Sequence, residues 1–390
     1  MSQITVVGGG LAGLTAAIAC AEGGAKVRLL EAHEQLGGRA RSADGPYKAN
    51  LGPHALYSDG AMWGWLSERG LLPNHVRPPL SGARFRHEGR VHRTPPLGTI
   101  PAVLRLRGRQ APVEQDFRGW VESHTDERVA AMLSSIAGVY TFHHDPGELS
   151  AAFVQERTVR LFLSTPPPST VVRYASGGWS GMVAPLERRV RELGVEVHTG
   201  HRVDALPEPP VVIATELHQA SALLNEPLSW KSGNTVCLDV GLARRRGDPW
   251  IVSDMDESGW IGRYSSSDRT IAPEGHELIQ TQMPIRPGES AEQAGARLER
   301  LIDQAVPNWR ERETWRRRQV MDARSGALDP PGSTWRERPA VDRGEGVYLA
   351  GDMVAAPGLL AEVSWASGLE AARLALAATH TNRPQLRKVA

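Results

Sequence analysis

The chain has 390 residues, 41% of them hydrophobic and 23% charged, with a formal net charge of +1. That length can bury more than one core, and so even a charge balance gives no general attraction to nucleic acid or acidic membranes. Only Cys20 and Cys237 are present, which excludes a disulfide framework and fits a reducing cytoplasm.

From the N-terminus, Ile4 to Val7 is a short apolar run suited to a buried parallel strand, and no basic leader precedes it, so no secretory signal is expected. Gly8, Gly10 and Gly13 then complete a GxGxxG turn, and Leu14 to Ala21 reads as a small-residue helix packed on the strand. Gly8 allows the tight turn, Gly10 lets the backbone approach a pyrophosphate, and Gly13 lets helix and strand pack closely. Leu11 and Ala12, at the helix N-terminus, belong to the same site, because free N–H groups and the positive dipole end face the phosphates there. Lys26 to Leu30 reads as the second strand. Glu31, with Ala32 beside it, stands at its carboxyl end, where a dinucleotide's ribose hydroxyls lie.

The stretch Glu31-Ala-His-Glu-Gln-Leu-Gly37-Gly38-Arg39-Ala-Arg41 resembles the flavoprotein superfamily of amine oxidases, protoporphyrinogen oxidases and phytoene desaturases, closest in pattern to the phytoene desaturase-like branch. The resemblance implies FAD. Gly37 and Gly38 let the loop fold back over the pyrophosphate, and Arg39 can meet its charge. Leu51-Gly52-Pro53-His54 is similar to the family segment that runs past the flavin ring. Tyr174 to Leu206, including Val203, resembles the helix and strand that return to the adenosine end. Near the C-terminus, Val347-Tyr-Leu-Ala-Gly351-Asp352, Gly358-Leu-Leu-Ala-Glu362 and Ala366 to Ala372 resemble the family's strand, Gly-Asp turn and terminal helix. By that likeness Asp352 bonds the ribityl chain, and the N–H groups of Leu360 and Ala361 face the flavin's pyrimidine edge. No cysteine lies near Gly351 to Gly368, so dissociable FAD is expected.

The fold class expected is α/β, a Rossmann-like FAD-binding domain interleaved with a mixed-sheet plus helical substrate domain. Residues 1–75, 166–222 and 339–390 supply the FAD-binding segments. Residues 76–165 supply a helical cap, with helices read at Val113 to Ser123 and Asp126 to Ile136, and 223–338 supply the substrate-domain sheet. In that sheet Thr235 to Val240, Trp250 to Ser253, Trp260 to Tyr264 and Leu278 to Gln282 read as strands, and Glu289 to Ala305 as the helix crossing them. Asp145-Pro-Gly-Glu148 reads as a helix start, and the Pro166–Pro168 run punctuates the second segment. Arg244–Arg246 and Arg316–Arg318 read as solvated or ion-paired faces. Trp63 and Trp65 read as one face of a buried helix, with membrane docking the less favoured alternative.

For the chemistry, His54 is the first candidate for proton transfer or substrate contact, with Tyr264 beside it and Tyr57, Tyr140, His143, Arg263, Arg324 and Trp365 as possible cavity lining. The His143-His144 pair has no third ligand at useful spacing, so no metal is expected. The lysines are Lys26, Lys48, Lys231 and Lys388, none within Leu238 to Leu242, where amine oxidases of the resembled family carry one beside the flavin. No second dinucleotide fingerprint exists for a built-in NADPH domain. The reading is hydride removal from a carbon of a small apolar organic substrate, with dioxygen or a quinone-like molecule as acceptor and no nucleic-acid partner. An amine oxidase, a redox-neutral flavin-dependent isomerase and a flavin-binding protein without turnover are the alternatives.

Overall fold

Three distant stretches of chain meet in one parallel five-stranded sheet of the computed structural model, which describes residues 3–52, 54–79, 81–106, 108–163 and 171–381. The strand order is Val347–Leu349, Val211–Ile213, Gln3–Val7, Lys26–Leu30, Glu196–His198, all pairs parallel. Val6, Val211, Val212 and Ile213 are fully buried, as β-branched residues of a sheet covered on both faces should be. One cover is the helix Leu11–Glu22, the other elements being Ser180–Glu192 and the terminal helix Ala361–Thr381. The first and last of these helices touch backbone to backbone. A Cβ on Gly368 would lie 2.5 Å from the Ala12 carbonyl oxygen, so only glycine permits that crossing.

The second sheet has seven strands in the order Glu313–Met321, Thr235–Ala243, His276–Pro284, Trp260–Gly262, Ile251–Asp254, Ala83–His87, Arg90–His92. Its pairs are antiparallel except Ile251–Asp254 with Ala83–His87, so the sheet is mixed. Alternation along Thr235–Ala243 divides the work. Val236, Leu238, Val240 and Leu242 pack with the helix Ala291–Ala305 through Leu298, Leu301 and Ile302, while Cys237, Asp239 and Gly241 take the opposite face. That helix starts at a Ser290–Gln293 capping box. The cap helices Thr99–Leu106, Phe117–Glu122, Glu127–Thr141 and Ala151–Thr158 close a third core around Phe117, Trp120, Leu133, Tyr140 and Phe153.

Two segments depart from the sequence reading. Ala83–His92 forms a hairpin of the second sheet inside the stretch read as helical cap, and Glu313–Met321 is a nine-residue strand through the Arg316–Arg318 run. Both are edge or near-edge strands in which arginines replace apolar residues on the alternating pattern, so no period of apolar residues marks them. Asp145 accepts from the Gly147 N–H at 3.0 Å and caps the turn Pro146–Glu148, as read. Trp65 is buried in the helix Ala61–Glu68, and Trp63 is half-buried against His75. The exposed large apolar side chains include Leu97, Ile100 and Leu104. No helix among the described residues is long and apolar enough to cross a membrane. Pro53, Pro166–Pro168 and Lys388 lie outside the described residues.

Candidate functional site

The carboxyl edge of the parallel sheet is where its loops converge, and in open parallel sheets that edge is the ligand crevice. Gly8 follows the central strand with φ +102°, and Gly8 N–H donates to the Leu30 carbonyl at 2.8 Å. A Cβ on Gly8 would lie 2.5 Å from the Ala214 carbonyl oxygen, and one on Gly13 only 1.8 Å from the Gly8 oxygen, so both glycines are required by contact. Gly10 differs. It is extended at φ −74°, and nothing lies within 4 Å of where its Cβ would be. Space is therefore left in front of the helix that begins at Leu11, with Ala12 in its first turn, where unpaired N–H groups favour an anion.

Glu31 closes one side of this space. Its buried carboxylate accepts from Gly9 N–H at 2.6 Å and from His33 N–H at 2.9 Å, and its other contact is His33 Nδ1 at 2.7 Å. Ala32 beside it is exposed, and Val203 is half-buried against the Rossmann core. The loop after Glu31 returns as the sequence predicts. Gly37 N–H donates to the Gly9 carbonyl at 2.8 Å, and a Cβ on Gly38 would stand 3.2 Å from Gly10 Cα.

Arg39 and Asp352, read as contacts to different parts of one cofactor, are bound to each other. Arg39 Nη1 and Nη2 donate to the two Asp352 oxygens at 2.8 and 2.7 Å, and Nη1 also donates to the Arg324 carbonyl at 2.7 Å. This fork latches the Gly37–Arg39 loop to the turn after the last strand. Ser367 Oγ fixes that turn by accepting from Gly351 N–H at 2.9 Å. Leu360, with φ +53°, leads into the terminal helix at Ala361. Glu362 in its first turn is buried, accepts from Leu359 N–H, and pairs with Arg160 of the cap, which also reaches Asp59.

The segment past the expected flavin position is held by a polar network that sequence reasoning missed. Asp239, 1% exposed, accepts from Gln280 Nε2 at 3.0 Å, from Arg317 Nε and Nη2 at 2.9 and 2.6 Å and from Gln319 Nε2 at 3.2 Å. Arg317 and Gln280 also donate to the Asn50 carbonyl, while Asn50 Oδ1 accepts from Trp179 N–H at 2.8 Å. The alternation of the strand through Arg317 could have pointed to it, since Arg317 faces in and Arg316 and Arg318 face out. Two residues on, Gly52 has φ +97°.

His54 and Tyr264 are brought together. The Tyr264 hydroxyl accepts from His54 N–H at 3.1 Å and donates to the His54 carbonyl at 3.3 Å, so it clasps the backbone of this segment. Burial pulls the His54 imidazole down to about 4, and it is neutral at pH 7. Its Nε2 lies 3.2 Å from the Arg39 carbonyl, and its ring sits 4.5 Å from that of Trp179.

Of the other cavity candidates, Arg263 is bound to both oxygens of Glu277 at 2.6 Å beneath the second sheet, and Arg324 pairs with Glu216 at 3.0 Å near the surface. Tyr57 lies under Arg160, and Trp365 packs on the Rossmann core. The His143-His144 pair does gain a third neighbour, Glu148, whose Oε1 is 3.1 Å from His143 Nε2. Asp145 N–H occupies His143 Nδ1, so Nε2 carries the proton in the neutral ring, and Lys231 Nζ sits 2.6 Å from the same Glu148 oxygen. Glu148 Oε1 is thus shared between the His143 Nε2–H and the Lys231 ammonium.

Comparison with known proteins agrees with this architecture. Residues 6–68 match the family described as an NAD(P)-binding Rossmann-like domain. A 53-residue stretch is 54% identical to a carotenoid 3,4-desaturase of Haloarcula japonica, covering 13% of this chain and only 10% of that protein's length. Among solved structures, an oxidoreductase from Methanosarcina mazei is similar with a TM-score of 0.77 at 16% identity, over 95% of this chain and 100% of that one. Cyclohexylamine oxidase from Brevibacterium oxydans is similar with a TM-score of 0.73 at 13% identity, over 97% and 99% of the two chains. At such identities the likeness is one of fold.

Proposed function

We propose, for a chain with the fold of the amine oxidase, protoporphyrinogen oxidase and desaturase flavoproteins, that it is an FAD-dependent oxidoreductase taking hydride from a carbon of an apolar organic molecule. The observation that carries this reading is the open space at Gly10, bounded by the N-terminus of the helix from Leu11, the buried Glu31 carboxylate and the Gly37–Arg39 loop. These donors and acceptors fit a dinucleotide: N–H groups for a pyrophosphate, a carboxylate for ribose hydroxyls, a guanidinium for residual phosphate charge.

In the proposed complex Gly8, Gly10, Leu11, Ala12 and Gly13 hold the pyrophosphate, and Glu31, Ala32 and Val203 the adenosine end. Arg39 would meet the pyrophosphate charge, Asp352 the ribityl chain and the N–H groups of Leu360 and Ala361 the pyrimidine edge of the flavin, and Gly52 and His54 would line the ring. FAD supplies a two-electron acceptor for hydride. The chain's share is to orient the donor carbon and exclude water, because such transfer needs close approach in a dry site. A proton leaving the substrate cannot rest on His54 at neutral pH unless its burial is relieved, so the imidazole serves as a neutral hydrogen-bonding group here. With FAD bound, turnover would need an electron acceptor such as dioxygen or a quinone-like molecule.

A second reading, oxidation of an amine, is favoured by the fold shared with cyclohexylamine oxidase. It is opposed by the lysines: Lys26 and Lys48 are exposed, and Lys231 is bound to Glu148. The strand Thr235–Ala243, where amine oxidases of the resembled family carry a lysine beside the flavin, instead buries Asp239. Anaerobic flavin bleaching by a substrate panel separates the two. Polyene or cyclic apolar compounds should bleach it, and fast bleaching by simple primary amines would select the second reading.

A further inference from the structure

Three of the five exposed large apolar side chains among the described residues belong to one short stretch of the cap: Leu97, Ile100 and Leu104, at 103%, 63% and 53% exposure. Ile100 and Leu104 stand one turn apart on the helix Thr99–Leu106, whose opposite face, Thr99, Ala102 and Leu106, is buried. The face turned to water is polar on most surface helices, and here it is apolar. Leu97 is held out by the turn before the helix. The N–H and the hydroxyl of Thr99 donate to the Pro96 carbonyl at 3.2 and 2.8 Å, and Gly98, at φ +94°, supplies the left-handed backbone that the turn needs.

The same stretch concentrates positive charge. Between Glu88 and Glu114 the sequence has five arginines, Arg90, Arg93, Arg105, Arg107 and Arg109, and no lysine, aspartate or glutamate, in a chain whose net charge is only +1. Arg93, Arg105 and Arg109 are exposed, and Arg109 is kept at the end of the helix by its Nε, which donates to the Arg105 carbonyl at 3.3 Å. Among the described residues no carboxylate pairs with these three, whereas on neighbouring elements Arg86, Arg118 and Arg128 are matched by Asp254, Asp145 and Glu88. Their charge is therefore left for a partner outside the chain.

The chemistry of the patch selects that partner. Three apolar side chains fall well short of the roughly 800 Å² per partner that a stable protein interface buries, so a second copy of the chain does not fit. Residues 93–109 contain no Phe, Tyr or Trp on which bases could stack, which sets the patch apart from a nucleic-acid surface. A bilayer requires neither, because a few aliphatic side chains enter the acyl boundary while cations meet anionic headgroups. We propose that the helix Thr99–Leu106 and the turn before it dock the protein on an anionic lipid bilayer, with Leu97, Ile100 and Leu104 entering the acyl boundary and Arg93, Arg105 and Arg109 at the headgroups. The docking is independent of what the Rossmann half binds.

The test is co-sedimentation of the full chain with vesicles of phosphatidylcholine alone and of phosphatidylcholine and phosphatidylglycerol in equal parts. Partition to the mixed vesicles is expected to exceed that to phosphatidylcholine by about tenfold or more, and to fall as salt is raised. Leu97→Ser/Ile100→Ser/Leu104→Ser should lower partition to the mixed vesicles about tenfold or more. Arg93→Gln/Arg105→Gln should remove the preference for them, and Val320→Ser, an exposed apolar residue on the second sheet, should change neither. All these side chains are exposed, so Tm should stay as in the parent. Equal partition to the two kinds of vesicle, or undiminished partition of the triple serine variant, would overturn the proposal. So would a dimer in light scattering that the triple variant abolishes, or capture of heparin without capture of vesicles. Should the triple variant fail to fold, the parent's ratio between the two vesicles and its loss in the arginine variant decide.

Discussion

Replacing Gly10 by alanine separates a cofactor cradle from an ordinary glycine turn. The backbone there is extended at φ −74° and ψ −176°, which alanine adopts freely, and nothing lies within 4 Å of the added Cβ. Alanine is a poorer N-cap than glycine, but it also reduces unfolded-chain entropy, so the two effects, each roughly 0.5–1 kcal/mol, largely offset. The apoprotein should keep its Tm within about 1 °C, given roughly 0.8 kcal/mol per kelvin for a chain of this length. FAD binding should suffer instead. A methyl in the path of the pyrophosphate displaces one or two charge-assisted hydrogen bonds, about 1.5–3 kcal/mol each, or roughly ten- to a hundred-fold or more in Kd. Gly13→Ala is the contrast, because its Cβ would stand 1.8 Å from the Gly8 oxygen and push helix from strand, costing about 1–3 kcal/mol in the apoprotein. Differential scanning fluorimetry of the apoproteins and FAD titration by fluorescence quenching read both quantities. An unchanged Kd in Gly10→Ala would refute the cradle, and a large Tm loss there would show that the space is not free.

Glu31→Ala should lower apoprotein stability by roughly 1–3 kcal/mol, because the Gly9 N–H loses its buried acceptor, and should also weaken FAD; thermal melts with and without FAD distinguish the two losses. Asp352→Ala should reduce FAD retention through gel filtration whereas Glu345→Ala should not, and equal retention would remove Asp352 from the site. His54 and His143 are both drawn down to about 4 by burial, so they are neutral when folded while the unfolded chain takes up protons near pH 6.5. Stability therefore falls as pH drops from about 6.5 to 4, by at most about 3 kcal/mol per imidazole, and His54→Gln should flatten part of that slope in denaturant melts across this range.

The Rossmann half was legible because its determinants are local. Strand, glycine spacing and strand-end Glu31 lie within 31 residues, and Gly13 is enforced by the Gly8 carbonyl that the turn itself brings near. The strand Val211–Ile213 is a continuous apolar run, and the terminal strand and helix were legible through their likeness to the strand, Gly-Asp turn and helix of the resembled family. Edge strands of the second sheet did not, since Ala83–His92 and Glu313–Met321 satisfy their alternation with arginine stems and ion pairs rather than apolar side chains. The groups that complete the site were harder still. Asp239 and Glu362 look like ordinary surface charge in the sequence, and only tertiary packing buries them and selects their partners Arg317 and Arg160. The pairing of Arg39 with Asp352, 313 residues apart, is of the same kind.

Identification of what the protein binds tests the central claim most directly. Protein purified without added cofactor, or reconstituted with FAD and desalted, should be yellow and on denaturation release about one FAD per chain, recognised by absorbance and mass. Colourless protein that neither retains FAD nor gains thermal stability from it would contradict the account.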